Sequence, residues 1–347
     1  MGTVSRVSGP KQRLQPTTKG RGVWRLLRLL GLVGLFGLVG FLGLLAPAVQ
    51  AQVHIPMPQS ALSLPAYWFQ LEAAPRADDA GSSGSAPVER RPAVIGLHGC
   101  GGALDANGQL NPIWRRYAAY FAAERMHFLV PDSFSPRGIQ SVCATPSRQR
   151  SVHETDRRED VFASIDWLAQ QPSVDPSRIF VVGWSHGGQT ALLAADASDS
   201  FVKAQKIRPK AVAAFYPGCT QPLKIWNYAL AAPLLVMIGE LDDWTRADTC
   251  VGLRDKLQRG QPGAPFELDI YPGSYHGFDG LGPVRTMENV GNTKSGKATV
   301  GGDPAAQKAS HARLFEFVAA QTAEPLRLSH EERRKVKPLP LPLAALP

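Results

Sequence analysis

Between about residue 60 and residue 322 the chain alternates short apolar runs with stretches of helical periodicity. Tyr67–Leu71, Ala93–Leu97 and Phe128–Val130 read as strands, and Ile113–Ala123 between the last two reads as a helix. A second helix covers residues 154–170, with Val161, Phe162, Ile165 and Leu168 on one face and acidic residues in its first turn, where the helix dipole favours them. Ile179–Val182 is apolar throughout and leads into a helix of alanines and leucines. Ala211–Tyr216, Leu234–Ile238 and Phe266–Tyr271 continue the strand series, and a last helix covers residues 305–322 with Leu314, Phe315 and Val318 inward. Strands that are apolar on both faces, separated by helices, predict an α/β fold with a mostly parallel central sheet covered on both sides. In such sheets the working residues lie in loops beyond the carboxyl ends of the strands.

The ends of the chain follow different rules. A basic stretch ends at Arg28, an uncharged run spans Leu29 to Leu45, and Ala46-Pro47-Ala48-Val49-Gln50-Ala51 supplies a small-residue exit. That order predicts a secretory leader over residues 1–51, with an uncleaved membrane anchor as the alternative. The run is 17 residues with five glycines, short for a permanent span. In either case the body is expected outside the cytoplasm, periplasmic or secreted, and any membrane contact is through this segment alone. The formal charge of +9 includes seven basic and no acidic residues from this leader, so the remainder carries only +2 and gives no support to a nucleic-acid surface. Residues 74–92 read as a flexible loop between two strands, and residues 328–347, rich in proline, as a disordered tail. What lies between, residues 52–327, reads as one domain.

Four cysteines form an even set that export would allow to oxidise. The expected pairs are Cys100 with Cys143 and Cys219 with Cys250, each near the ends of neighbouring strands; four buried free thiols are the alternative. No C-x-x-C occurs, so a zinc or thioredoxin-type site has little support.

Directly after Ile179–Val182 stands Gly183-Trp184-Ser185-His186-Gly187-Gly188, a G-x-S-x-G turn between strand and helix. A nucleophile on so sharp a turn needs small residues two positions away on each side, which Gly183 and Gly187 provide. Trp184, next to the serine, is expected to line the substrate site. A second strand end carries Leu97-His98-Gly99-Cys100-Gly101-Gly102, where the amide of Cys100 or Gly101 joins that of His186 as an expected oxyanion hole. His98 reads as a brace for that loop. A serine needs a base, and the base a carboxylate to orient it. Gly239-Glu240-Leu241-Asp242-Asp243-Trp244 and Gly273-Ser274-Tyr275-His276-Gly277-Phe278 follow two further strands and offer both. Ser185, Asp242 and His276 stand in the order Ser…Asp…His at separations of 57 and 34 residues, with Asp243 the alternative carboxylate and a plain loop histidine the alternative for His276. Arg137, in the loop after Val130, is a candidate for pairing a substrate carboxylate or for bracing its own loop, and the glycine-rich segment 279–303 reads as a mobile rim or a passive surface loop.

Taken together LHGCGG, DSFSPRG (Asp132–Gly138), GWSHGG, GELDDWT and YHGF resemble the dienelactone hydrolase family over roughly residues 60–322. The resemblance implies the α/β-hydrolase fold, with Ser185 as nucleophile, Asp242 as acid and His276 as base, acting on a small-molecule ester or lactone with no metal or organic cofactor. Dienelactone hydrolase proper carries cysteine where this chain has Ser185, which favours a general serine esterase. An acyltransferase or peptidase on the same triad, and a binding protein that keeps the fold without turnover, are the competing readings.

Overall fold

The computed structural model describes residues 48–58, 60–72 and 89–322; most of the expected leader, loop 74–92 and the tail lie outside them. In chain order the elements are β1 (Ala48–Pro56), β2 (Ser63–Leu71), β3 (Arg91–Leu97), α1 (Pro112–Ala123), β4 (His127–Pro131), α2 (Glu154–Ala169), β5 (Val174–Trp184), α3 (His186–Ala194) and α4 (Ser200–Ala204). There follow β6 (Ala211–Phe215), α5 (Thr220–Lys224), β7 (Leu234–Gly239), α6 (Ala247–Gly260), β8 (Phe266–Tyr271), β9 (Arg285–Met287), β10 (Ala298–Val300) and α7 (Pro304–Gln321).

Eight strands form one sheet in the order β1-β2-β4-β3-β5-β6-β7-β8. The β1–β2 and β2–β4 pairs are antiparallel, and every pair from β4 to β8 is parallel. Because β3, β4, β6 and β7 are buried at every position, their apolar runs lack alternation, as a sheet covered on both faces requires. The predicted α/β class is thus the observed one. On one side α1 and α7 meet through Phe121 and Phe315, ring centroids 5.6 Å apart. Asn111 caps α1 by accepting from the amide of Ile113, and Asp303 caps α7 by accepting from those of Ala305 and Ala306.

Besides the short helices α4 and α5, four elements were not in the sequence reading. β1 begins at Ala48, inside the stretch read as the exit of the leader, and pairs Ala48–Pro56 with Leu71–Ser63 at the sheet edge. Helix α6 buries Cys250, Leu253 and Leu257 on one stripe. Segment 279–303, read as a rim or passive loop, instead contains the β9–β10 hairpin and buries Val290, Ala298 and Val300. Among the described residues no helix is long and apolar enough to cross a membrane, and the run Leu29–Leu45 lies outside them.

All four cysteines are paired as expected, Cys100–Cys143 and Cys219–Cys250. The second bond ties the residue group after β6 to the helix after β7, closing 31 residues of chain. Loop-closure entropy for such a span is worth about 4 kcal/mol. Replacing both Cys219 and Cys250 with alanine is therefore expected to lower the unfolding free energy by about 3–4 kcal/mol, seen as a lower urea midpoint under oxidising conditions. An unchanged midpoint would mean that the unfolded chain is not what the bond restrains.

Candidate active site

The turn from β5 into α3 places Ser185 at φ 54° and ψ −115°, a backbone region that costs a non-glycine residue about 1–3 kcal/mol. Its amide donates to the Phe215 carbonyl at 2.9 Å, and its carbonyl accepts the first helical bond from Gln189. The two glycines of the motif are sterically required. A Cβ on Gly183 would stand 2.1 Å from the Gly187 carbonyl oxygen, and one on Gly187 would stand 2.1 Å from that of Leu97. Strand β3's outgoing loop is thereby pressed against the turn, and the Cβ position at Gly99 lies only 3.6 Å from Ser185 Cβ.

From the ends of β7 and β8 come the other two groups. His276 Nε2 is 2.9 Å from Ser185 Oγ, and His276 Nδ1 is 2.8 Å from Asp242 Oδ2. Asp242 and His276 are both buried, while Ser185 is half-buried. The carboxylate is held on both oxygens: Oδ1 accepts the amides of Trp244 at 3.0 Å and Thr245 at 2.7 Å, and Oδ2 lies 2.9 Å from the Thr245 hydroxyl. With Asp242 acting only as an acceptor, Nδ1 carries the imidazole proton and Nε2 is left to accept from the serine. Asp243, the alternative acid, is exposed and accepts instead from the amide and hydroxyl of Thr299.

Two aromatic rings, both tilted to the imidazole, also pack against it. The Tyr216 ring lies 4.6 Å and the Trp244 ring 4.8 Å from its centroid. Behind it Val300 of β10 forms a parallel bridge to His276, and Gly301 donates to the His276 carbonyl at 3.0 Å. Segment 279–303 is therefore part of the wall that fixes the histidine. Tyr216, Trp244, Thr245 and this hairpin escaped the sequence reading. For Thr245 a signal existed: an aspartate followed by free amides two and three residues on is a side-chain turn waiting to form.

Beneath the Ser185 turn sits Arg157, fully buried, donating to the His98 carbonyl at 2.7 Å and lying 2.5 Å from His186 Nδ1. Burial, then the charge of Arg157, hold His98 and His186 well below the usual histidine range, so both are neutral. A neutral His186 accepts from Arg157 at Nδ1, and its Nε2 lies 3.2 Å from Glu154 without the alignment of a hydrogen bond. His98 donates from Nδ1 to the Gly99 carbonyl and accepts the Ser133 amide at Nε2, the bracing role expected of it. His186 is the first residue of α3, where an amide has no acceptor within the helix, and Gly101 is exposed at the rim of a cavity of about 480 Å³ that Leu104, Phe134 and Ile139 also line.

Of the two readings of Arg137, the contacts fit the brace of its own loop: its fork is closed on Asp160 at 2.8 and 2.9 Å, and Nη1 also donates to the Ser133 carbonyl at 2.7 Å. The expectation for Trp184 is corrected. Trp184 does not line the site. Side chains alternate across a strand, so the residue before the serine points under the turn, where its ring stacks on Phe215 and its Nε1 donates to Tyr117 and Asp279.

A mostly parallel eight-stranded sheet flanked by helices, with a serine turn, an acid and a histidine beyond the ends of β5, β7 and β8, defines an α/β-hydrolase fold. The chain belongs to the dienelactone hydrolase family, which matches it over residues 128–321. Among solved structures it is similar to a dienelactone hydrolase-like promiscuous phosphotriesterase from metagenomic libraries, at 18% identity and a TM-score of 0.55, over 80% of this chain and 99% of that one. It is also similar to esterase 2 of the planctomycete Thermogutta terrifontis, at 18% identity and a TM-score of 0.52, over 80% and 93% of the two chains.

Proposed function

We propose that this protein is a serine hydrolase that cleaves a small carboxylic ester or lactone through an acyl-enzyme. The observation that carries the reading is the unbroken line from Ser185 Oγ to His276 Nε2 at 2.9 Å and from His276 Nδ1 to Asp242 at 2.8 Å. In this mechanism Ser185 attacks the carbonyl carbon as His276 takes its proton, and Asp242 holds the resulting imidazolium. The amides of His186 and of Cys100 or Gly101 bind the oxyanion of the tetrahedral intermediate. Its collapse expels the alcohol, which takes the proton from His276; water then repeats the sequence on the acyl-enzyme and releases the acid. Serine in place of the cysteine of dienelactone hydrolase proper supports ester cleavage over dienelactone cleavage. Two disulfides support a working place in an oxidising compartment, periplasmic or extracellular.

A fluorophosphonate probe separates this reading from a binding protein that keeps the fold, because only an activated serine reacts. Esterase 2 of Thermogutta terrifontis is itself known phosphorylated by paraoxon, which favours that choice of reagent. The expected result is one label per chain, on the peptide containing Ser185, blocked by prior incubation with a short aryl ester that accumulates as acyl-enzyme. Absence of labelling in folded protein would sink the assignment.

A further inference from the structure

Asp279, three residues beyond His276, is a buried carboxylate that takes no part in the proton transfers above. It is 1% exposed. Oδ1 accepts the Tyr216 hydroxyl at 2.6 Å; Oδ2 accepts Trp184 Nε1 at 2.9 Å and the Tyr117 hydroxyl. Its own carbonyl accepts Gln307 at 2.6 Å. Among the described residues its carboxylate makes no ion pair, so neutral donors alone replace the water it has lost. An apolar side chain there would avoid that desolvation cost. What the carboxylate supplies is geometry.

Its donors reach both halves of the catalytic group. Trp184 immediately precedes Ser185, so fixing its indole fixes the floor of the nucleophile turn. Tyr216 presents its ring to His276, and its carbonyl accepts the Thr245 hydroxyl that also touches Asp242. Asp279 itself leaves the turn that carries His276, closed by the Gly280 amide on the Gly277 carbonyl at 2.9 Å. Burial, and then the carboxylate's charge, raise both tyrosines well above the usual phenol range, so they remain donors at any working pH.

We propose that Asp279 is a positioning residue: one carboxylate, tied to the nucleophile turn through Trp184 and to the base through Tyr216, sets the Ser185–His276 separation. The role rests on the hydrolase reading. An asparagine at this position keeps one acceptor oxygen and turns its amide donor either on the Trp184 indole, which cannot accept it, or on the Tyr216 phenol, which must turn its own proton away to accept it.

The test compares wild type, Asp279→Asn, Tyr216→Phe and Ser185→Ala on a short aryl ester, with rates expressed per active site titrated by fluorophosphonate, and for Ser185→Ala, which has no serine to titrate, per folded chain. Titration removes misfolded protein from the count. Asp279→Asn is expected to lower kcat per titrated site at least tenfold with KM within twofold, since displacements well under 1 Å already cost rate. Tyr216→Phe, which keeps the ring against His276, is expected to fall in the same direction by a smaller factor, and it decides the matter if Asp279→Asn yields no titratable protein. Values of kcat per site within twofold of wild type in every titratable variant of the pair overturn the positioning role alone. A Ser185→Ala protein that turns over like wild type overturns the hydrolase reading and the positioning role with it.

Discussion

Replacing Ser185 with alanine is expected to lower kcat for a short aryl ester by about 10⁵- to 10⁶-fold, leaving a residue of rate that comes from the oxyanion donors and from substrate binding. The size follows from what is removed. Without Oγ no acyl-enzyme forms, and His276, 2.9 Å from the vanished oxygen, can only assist water from a position built for serine. Stability should not suffer. Ser185 is half-buried, its hydroxyl holds no helix cap, and alanine relieves nothing and strains nothing further at φ 54°. A thermal midpoint within a degree or two of wild type, beside the loss of turnover, identifies a chemical defect; turnover above one hundredth of wild type would move the nucleophile elsewhere.

Asp242→Asn carries the second large effect, about 10⁴-fold in kcat. The direction is set by the local donors. Oδ1 accepts two backbone amides, so the asparagine oxygen must stay in that place and the NH₂ must take the position of Oδ2, facing His276 Nδ1. A donor there forces the imidazole into the tautomer that carries its proton on Nε2, and that nitrogen can no longer accept from Ser185. The fold has little to lose, because the turn Asp242–Thr245 keeps its oxygen acceptor. Full kinetic profiles for Asp242→Asn and Asp243→Asn side by side provide the check. If the exposed Asp243, which faces Thr299, produced the larger loss, the acid would be misassigned.

Much of this arrangement was legible in the sequence because it depends on local rules. Val94, Val181, Val212 and Val236 sit in apolar runs with no alternation, which only a sheet buried on both faces explains. Gly183 and Gly187 bracket Ser185 because a Cβ at either would meet a carbonyl oxygen at 2.1 Å. The cysteine pairs followed from strand neighbours. What could not be read is equally specific. β1 alternates apolar and polar residues from Val49 to Ile55, a strand signal masked because its first residues coincide with the small-residue exit of the expected leader. Whether Arg137 meets substrate or braces its own loop stayed open because Asp160, which closes on it, lies 23 residues away on another element. Trp184 looked like a wall of the site because a sequence does not say on which side of the sheet the cavity lies.

The chain by itself determined the class of fold, the three strand ends that carry Ser185, Asp242 and His276, and the turn that strains the serine, since periodicity and backbone sterics act over a few residues. The tertiary structure alone decided that the three groups meet within hydrogen-bond distance and that Tyr216, Trp244 and the β9–β10 hairpin wall in the imidazole. It also decided that Asp279 gathers donors from residues 63, 95 and 162 positions away. Such partnerships depend on where packing brings distant segments, because a hydrogen bond is governed by distance in space and is blind to distance along the chain.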